Sequence, residues 1–301
     1  MANQIRVVLS CNGRTLTMGA DSDIDITKIT GLESSDIEIS KSDNALVDGE
    51  TVDGKKIKGR PIHIEAAFRD LKNNKENRQR VIKFFNPKYT GKALIVNMGT
   101  PRNIEYELEG WTFAEQRTLD TRLRIIVDLF CPDPYMLNTD NFGKNMAAFT
   151  ALFAFPWRVT KQKVLNVPRP FTGCALGGMT MGYRTLHQEV ALSNDGDVPT
   201  GVIIKFIASR GAVKNPRITN TKTGQFMRVK VDMAEGDVLT IDTNERHQVV
   251  ELNGVNYYQH VDRHSDPFQL AVGDNYLEYA ADENYVNLDV NLYYTPKYLG
   301  V

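Results

Sequence analysis

The chain has 301 residues, and its 42% apolar and 24% charged content is that of a globular protein, which excludes global disorder. Lysine plus arginine (36) balances aspartate plus glutamate (37) to a net charge of -1, so the basic excess of a dedicated nucleic-acid binder is absent. No run approaches the roughly 18 apolar residues of a membrane span, and Met1-Ala2-Asn3-Gln4-Ile5-Arg6 lacks the apolar core of a signal peptide.

Alternation with period two dominates the first half. Ile62, Ile64, Ala66 and Phe68 share one face, as do Ile104, Tyr106 and Leu108, with Glu105, Glu107 and Glu109 opposite. Asp48-Gly49 and Asp53-Gly54 supply turn chemistry before these runs. Asp70 to Phe85 breaks the alternation. Asp70 is expected to cap a helix that Pro87 stops, with Leu71, Val81, Ile82 and Phe85 on its apolar stripe. This stretch is basic (Arg69, Lys72, Lys75, Arg78, Arg80, Lys83, Lys88, Lys92), which reads either as a solvated face or as a contact surface within an assembly. Leu123, Ile125, Val127, Leu129 and Cys131 form the next strand face.

Cys131-Pro132-Asp133-Pro134-Tyr135 ends that strand and marks a domain boundary, because proline cannot donate to a ladder. Asn145 to Phe153 reads as a short helix closed by Pro156, and Val167-Pro168-Arg169-Pro170 as an extended linker. Three more strand faces follow: Val202 to Ala208, Met227 to Met233, and Val286, Leu288, Val290 and Leu292. Turns at Thr223-Gly224, Gly236-Asp237, Asn253-Gly254 and Gly273-Asp274 punctuate them, as in a β-sandwich. The expected division is a domain at 1–137, a linker with a short helix at 138–170, and a second domain at 171–301.

Few residues suggest chemistry. Cys11, Cys131 and Cys174 are odd in number and widely spaced, which points to reduced thiols. Of the histidines (His63, His187, His247, His260, His264), the last two are spaced as a helical zinc pair. Their context is strand and turn, where positions i and i+4 lie about 13 Å apart. Gly177 to Gly182 fits neither a P-loop nor a dinucleotide turn. Trp111, beside Phe113, reads as core, and Trp157 as packed at the domain junction. Asn215-Pro216-Arg217 matches part of the galectin sugar motif, with Val213 where the histidine belongs. No catalytic, metal or cofactor residues are assigned.

Several segments together resemble the distal tail protein (Dit) family of siphophages. They are Gly31-Leu32-Glu33, Leu46-Val47-Asp48-Gly49, Gly59-Arg60-Pro61-Ile62-His63-Ile64, Asn86-Pro87-Lys88 and Cys131 to Tyr135, then Asn215 to Gly224 and Gly236 to Thr243. Their order and spacing cover nearly the whole chain. The resemblance implies a mainly β protein of two domains. The first is a β-sandwich with one α-helix and a β-hairpin that forms a hexameric ring. The second is a galectin-like antiparallel β-sandwich. It implies a structural, non-enzymatic hub at the phage tail tip, assembled in the bacterial host cytoplasm.

The implied partners are the tail tube protein on one ring face and the tail-associated, fibre-like hub protein on the other. The tape measure protein passes through the lumen, DNA passes in transit, and the outer domains carry receptor-binding or baseplate proteins in some phages. The final strand rejoins the first domain in some relatives, a role open to Tyr293 to Tyr298. Val47 to Ile64 is expected to contribute to the ring through Val47, Asp48, Gly49, Val52, Asp53, Gly54, Ile57 and Arg60. The competing classes are a carbohydrate-binding module, a hydrolase on a β-sandwich, and a component of a bacteriocin-like particle or contractile baseplate.

Overall fold

A computed structural model describes residues 5–43, 48–70, 73–114, 122–140, 142–145, 147–154, 180–186 and 189–301. The first part of the chain forms β1 (Arg6–Cys11), β2 (Arg14–Gly19), β3 (Ile24–Thr30), β4 (Ile37–Asp43), β5 (Glu50–Ile57), β6 (Arg60–Phe68), α1 (Asn74–Phe84), β7 (Gly91–Asn97), β8 (Thr100–Phe113), β9 (Arg124–Cys131) and β10 (Met136–Asn138). Antiparallel pairing runs in the order β2-β1-β7-β8-β9-β6-β3. The long β8 carries both halves: Thr100 to Tyr106 pairs with β7, and Glu107 to Phe113 pairs with β9. A bulge between Leu108 and Gly110 lets the strand bend from one layer into the other. The inward faces enclose Val7, Leu9, Ile62, Ile64, Ile95, Ile125 and Val127 in one core. The alternation expected for Ile62 to Phe68 and for Leu123 to Cys131 is realised in full.

The helix begins at Asn74 rather than at Asp70, whose carboxylate instead accepts a hydrogen bond from the Asn73 side chain (2.7 Å). Its buried stripe is Val81 and Phe84, continued by Phe85. Ile82 points outward at 49% exposure, because 81, 84 and 85 share a helical face and 82 does not. Leu71 and Lys72 lie outside the described residues. Phe85 stacks on Trp111 (5.8 Å), which meets Phe113 edge-on (5.3 Å), so Trp111 is core-packed.

The second part contains β11 (Phe142–Asn145), β12 (Ala147–Ala154), β13 (Thr180–Leu186), β14 (Glu189–Asn194), β15 (Ile203–Ala208), β16 (Val213–Asn220), β17 (Phe226–Arg228), β18 (Asp232–Met233), β19 (Val238–Asn244), β20 (His247–Leu252), β21 (Val255–Asn256), β22 (Gly273–Glu283), β23 (Leu288–Tyr294) and β24 (Lys297–Tyr298). One sheet runs β11-β23-β15-β19-β20-β21. The other runs β14-β22-β16-β17, with β18 beside β16. A second core includes Val202, Ile204, Phe206, Leu239, Ile241, Leu277 and Val290. Asn253 and Gly254 both have positive φ (51° and 79°) and close the two-residue hairpin between β20 and β21.

Three expectations for this region are corrected. Residues 145 and 147–153 are strand and not helix: β11 joins the second sandwich through β23, and β12 pairs with β13. The helix preference of the alanines and leucine there is worth only tenths of a kcal/mol per residue, and the ladder overrides it. The second sandwich therefore recruits chain from residue 142 onward. Val286 belongs to a short 3-10 turn and is 44% exposed, so the strand face starts at Leu288. Trp157, Pro168, Cys174, His187 and residues 177–179 of the glycine-rich run fall outside the described residues.

Cys131 has no exposed surface, and burial pushes its thiol up to about 12. At pH 8 only about one thiol in ten thousand would then be ionised. Peptide mass spectrometry after iodoacetamide treatment should find Cys131 unmodified in the native chain and fully modified in guanidinium. Rapid native labelling would contradict the packing described here.

Candidate functional site

Between β3 and β6 the chain leaves the sandwich as the β4–β5 hairpin. These two strands pair only with each other. Every residue of both is exposed except the half-buried Ile57. Ile37 faces Ile57, Ile39 faces Lys55, and Lys41 faces Val52. Strict alternation along β5 would carry this face from Ile57 through Lys55 to Asp53. The register shift between Ser40 and Lys41 leaves Asp53 as the extra residue and returns Val52 to that face. Asp53-Gly54 is thus a bulge inside a strand, not the turn its composition suggests. The Asp53 carboxylate accepts a hydrogen bond from Ser42 (3.0 Å). The outcome is an amphipathic ribbon with Ile37, Ile39, Val52 and Ile57 on one face, the first three 64%, 44% and 50% exposed. A two-stranded ribbon with an open apolar face is marginal in isolation.

Of the residues assigned to a ring contact, the hairpin presents Asp48, Gly49, Val52, Asp53, Gly54 and Ile57, and Val47 lies outside the described residues. Arg60 is corrected. It is wholly buried and has no surface to offer a neighbouring subunit. Its Nε donates to the Pro134 carbonyl (2.9 Å), Nη1 to Gly31 (2.8 Å) and Leu32 (3.0 Å), and Nη2 to Leu299. No carboxylate is among these partners. Desolvation lowers its pKa, yet a guanidinium stays charged, so the carbonyl dipoles stand in for lost water. Gly31, with φ of +90°, lies where a Cβ would strike the Pro61 carbonyl, so the chain can approach this closely only with glycine. Ile37 and Ile39 were legible from their own alternation; the role of Arg60 had no local signal.

The same arginine anchors the end of the chain. β24 pairs with β10, and β10 pairs with β8, so the final strand rejoins the first sandwich. The Arg102 guanidinium lies 3.6 Å from the Tyr298 ring centroid. The Val301 amide donates to the Leu32 carbonyl (3.2 Å), and Val301 packs against the first core. From the second sandwich, the Asp197 amide donates to Lys297 (2.8 Å) and the Asp197 carboxylate accepts from the Leu299 amide (2.9 Å). The terminal segment is therefore a strap held by both domains.

Residues 195–298 match the family model of the siphovirus-type tail component, C-terminal domain. The crystal structure of the Dit protein of phage SPP1, described as a paradigm of the hub adsorption apparatus in phages infecting Gram-positive bacteria, superposes with a TM-score of 0.65 at 13% identity. The match covers 97% of this chain and 99% of that one. The phage P2 baseplate in its activated conformation gives 0.53 with calcium and 0.51 with strontium, each at 9% identity and 99% of both chains. No curated protein sequence matches. Residues 195–298 are thus similar to that tail-component domain, and the chain has the fold of the SPP1 Dit structure.

Several polar residues singled out in the sequence have local partners. The Asn215 side chain donates to Asp282 (2.7 Å) and accepts from the Val231 amide (3.0 Å), and the Arg217 guanidinium lies over Phe226 (4.1 Å). The galectin-like triplet is thus spent on its own sandwich. Asp282 is held below the usual carboxylate range chiefly by the Asn215 bond. His260 stacks on Tyr257 (3.9 Å), and among the described residues no group of three potential ligands could hold a metal. Glu105 pairs with Lys92 (3.0 Å) and Glu107 accepts from Thr90 (2.7 Å), as expected of a solvated strand face. His63 lies between Asp128 (2.5 Å) and Glu65 (3.4 Å), and the Asp128 bond raises its pKa above the ordinary value.

Two outcomes follow from this geometry. Arg60→Met would take this donor from the Pro134, Gly31 and Leu299 carbonyls and leave Leu32 with the Val301 amide alone, and should destabilise the chain by about 3 kcal/mol or more, read from denaturant unfolding. A loss below about 1 kcal/mol would show that the guanidinium is dispensable. His63, with its folded pKa raised, adds stability in full below about pH 6.5 and loses it as pH rises through the folded value. Melting temperature should therefore fall between pH 6 and pH 8 by more in the native chain than in His63→Gln; identical pH dependence would remove the pair from the account.

Proposed function

We propose that this chain is the structural hub of a siphophage tail tip. Six copies close into a ring through their first domains. One ring face seats on the tail tube and the other on a fibre-like tail protein, while the tape measure and then DNA pass through the lumen. The second sandwich projects outward, where receptor-binding or baseplate proteins attach. The chain works in the virion as a joint, not as an enzyme.

The observation that carries this reading is the isolated β4–β5 ribbon. A bulge re-phases its apolar residues onto one face, and no other part of the chain covers that face among the described residues. The Dit-type fold and the tail-component match over residues 195–298 give that surface its context. A ring requires one surface repeated head to tail until it closes, and a projecting ribbon distant from its receptor supplies such a surface.

Light scattering after size exclusion, with negative-stain images, tests the ring. Six copies of 33.9 kDa would weigh about 203 kDa and show a central hole. Replacing residues 37–57 with a short Gly-Ser turn should leave a folded monomer that no longer closes, with or without the tube protein. Rings from the shortened chain would contradict the assignment of the ribbon.

A further inference from the structure

The ribbon is charged asymmetrically. Its outer part carries Asp43, Asp48, Glu50 and Asp53 against Lys41 alone. Lys41 pairs with Glu50 (2.6 Å), and among the described residues no lysine or arginine pairs with Asp43, Asp48 or Asp53. Asp43 stands directly opposite Glu50 in the register, an arrangement that is unfavourable unless cations lie nearby.

The complementary charge lies at the far end of the same domain. Between β2 and α1 runs an open groove of about 610 Å³, whose charged lining is Arg14, Arg80, Lys83 and Glu76, with Gln79 between them. Arg80 is neutralised by Asp23 (2.5 Å). Arg14 donates to the Lys83 backbone carbonyl, and no carboxylate among the described residues pairs with either side chain. Within one chain the ribbon's acids make no pair with Arg14 or Lys83 among the described residues. The ribbon leaves β3 after Thr30 and returns at Arg60, whereas Asp23 and α1 lie beyond the Ile24–Phe68 end of that strand pair. The nine residues of β6 separate these ends by about 26 Å.

We infer that the acidic tip of one copy's ribbon docks in the α1–β2 groove of the next copy around the ring. This rests on the hub reading above and names its contact. A head-to-tail match of opposite charges at opposite ends of one domain is the form of a heterologous interface, and charge complementarity fixes its register. The basic helix thereby gains an occupant, a second copy of this chain.

A charge-swap cycle tests it. Asp48 and Lys83 are both exposed, so Asp48→Lys and Lys83→Glu should each melt within about 2 °C of the native chain. With tube protein present, each single variant should raise the chain concentration needed for half-assembly by about tenfold, read by mass photometry. The double variant should return to within about threefold of the native value. Native assembly should also weaken as salt rises. Native rings that neither single variant weakens, or a double variant no better than the singles combined, would overturn the docking while leaving the hub reading intact. Failure of the native chain to form any ring with tube protein would overturn both.

Discussion

A buried guanidinium organises this molecule. Arg60 opens β6, three residues after the ribbon ends at Ile57, and its donors reach Gly31 and Leu32, where the chain sets out toward that ribbon. The ribbon's two stems are therefore joined inside the core, not at the surface. The Lys58 amide bonded to the Asp36 carbonyl (2.8 Å) adds a rung just outside. A charged group buried without a carboxylate is costly unless dipoles replace its hydration. Backbone carbonyls from widely separated segments supply them, and each segment is thereby held to a shared point.

Two of those segments belong to the junction between domains. The Pro134 carbonyl lies between β9 and β10, and the Leu299 carbonyl belongs to the returning strap. Gly300 passes so close that a Cβ there would stand 2.5 Å from the Glu33 carbonyl. Around this point the second sandwich adds contacts of its own: Arg246 donates to the Pro132 carbonyl (2.9 Å), and Thr200 donates to the Thr295 carbonyl (2.8 Å). The first sandwich thus includes the last residues of the chain, and the second sandwich is tied to the base of the ribbon. Anything that shifts the ribbon base acts on the junction through shared hydrogen bonds rather than through a flexible linker.

Half-buried strands declare themselves in sequence because their period is two and one face is dry. That is why Ile62 to Phe68, Leu123 to Cys131 and Val202 to Ala208 were legible, and why two sandwiches followed. Residues 145–153 misled because alanine, leucine and phenylalanine suit either state and the partner strand lies some 30 residues away. Asp53-Gly54 misled because turn and bulge draw on the same residue types. Val286 extended a true alternation past the strand's end, where a 3-10 turn takes over. Arg60 was grouped with the ring contact because it adjoins the expected hairpin within Val47 to Ile64. Its burial depends on carbonyls at positions 31, 32, 134 and 299, a convergence that no local pattern encodes. The expected ring segment, Val47 to Ile64, covers only the second strand of the ribbon; the first, Ile37–Asp43, was not read from the sequence, and the return of Val52 to the apolar face required the register.

Hydrogen exchange on the isolated chain probes the Arg60 junction most directly. The Val301 amide, bonded to Leu32, and the Leu299 amide, bonded to Asp197, should exchange at rates near those of β6, because strap and core open together. Peptides from the outer half of the ribbon should exchange far faster. A strap that exchanges as quickly as the ribbon tip, while β6 stays protected, would show that the terminal segment opens independently and that Arg60 does not unite the domains.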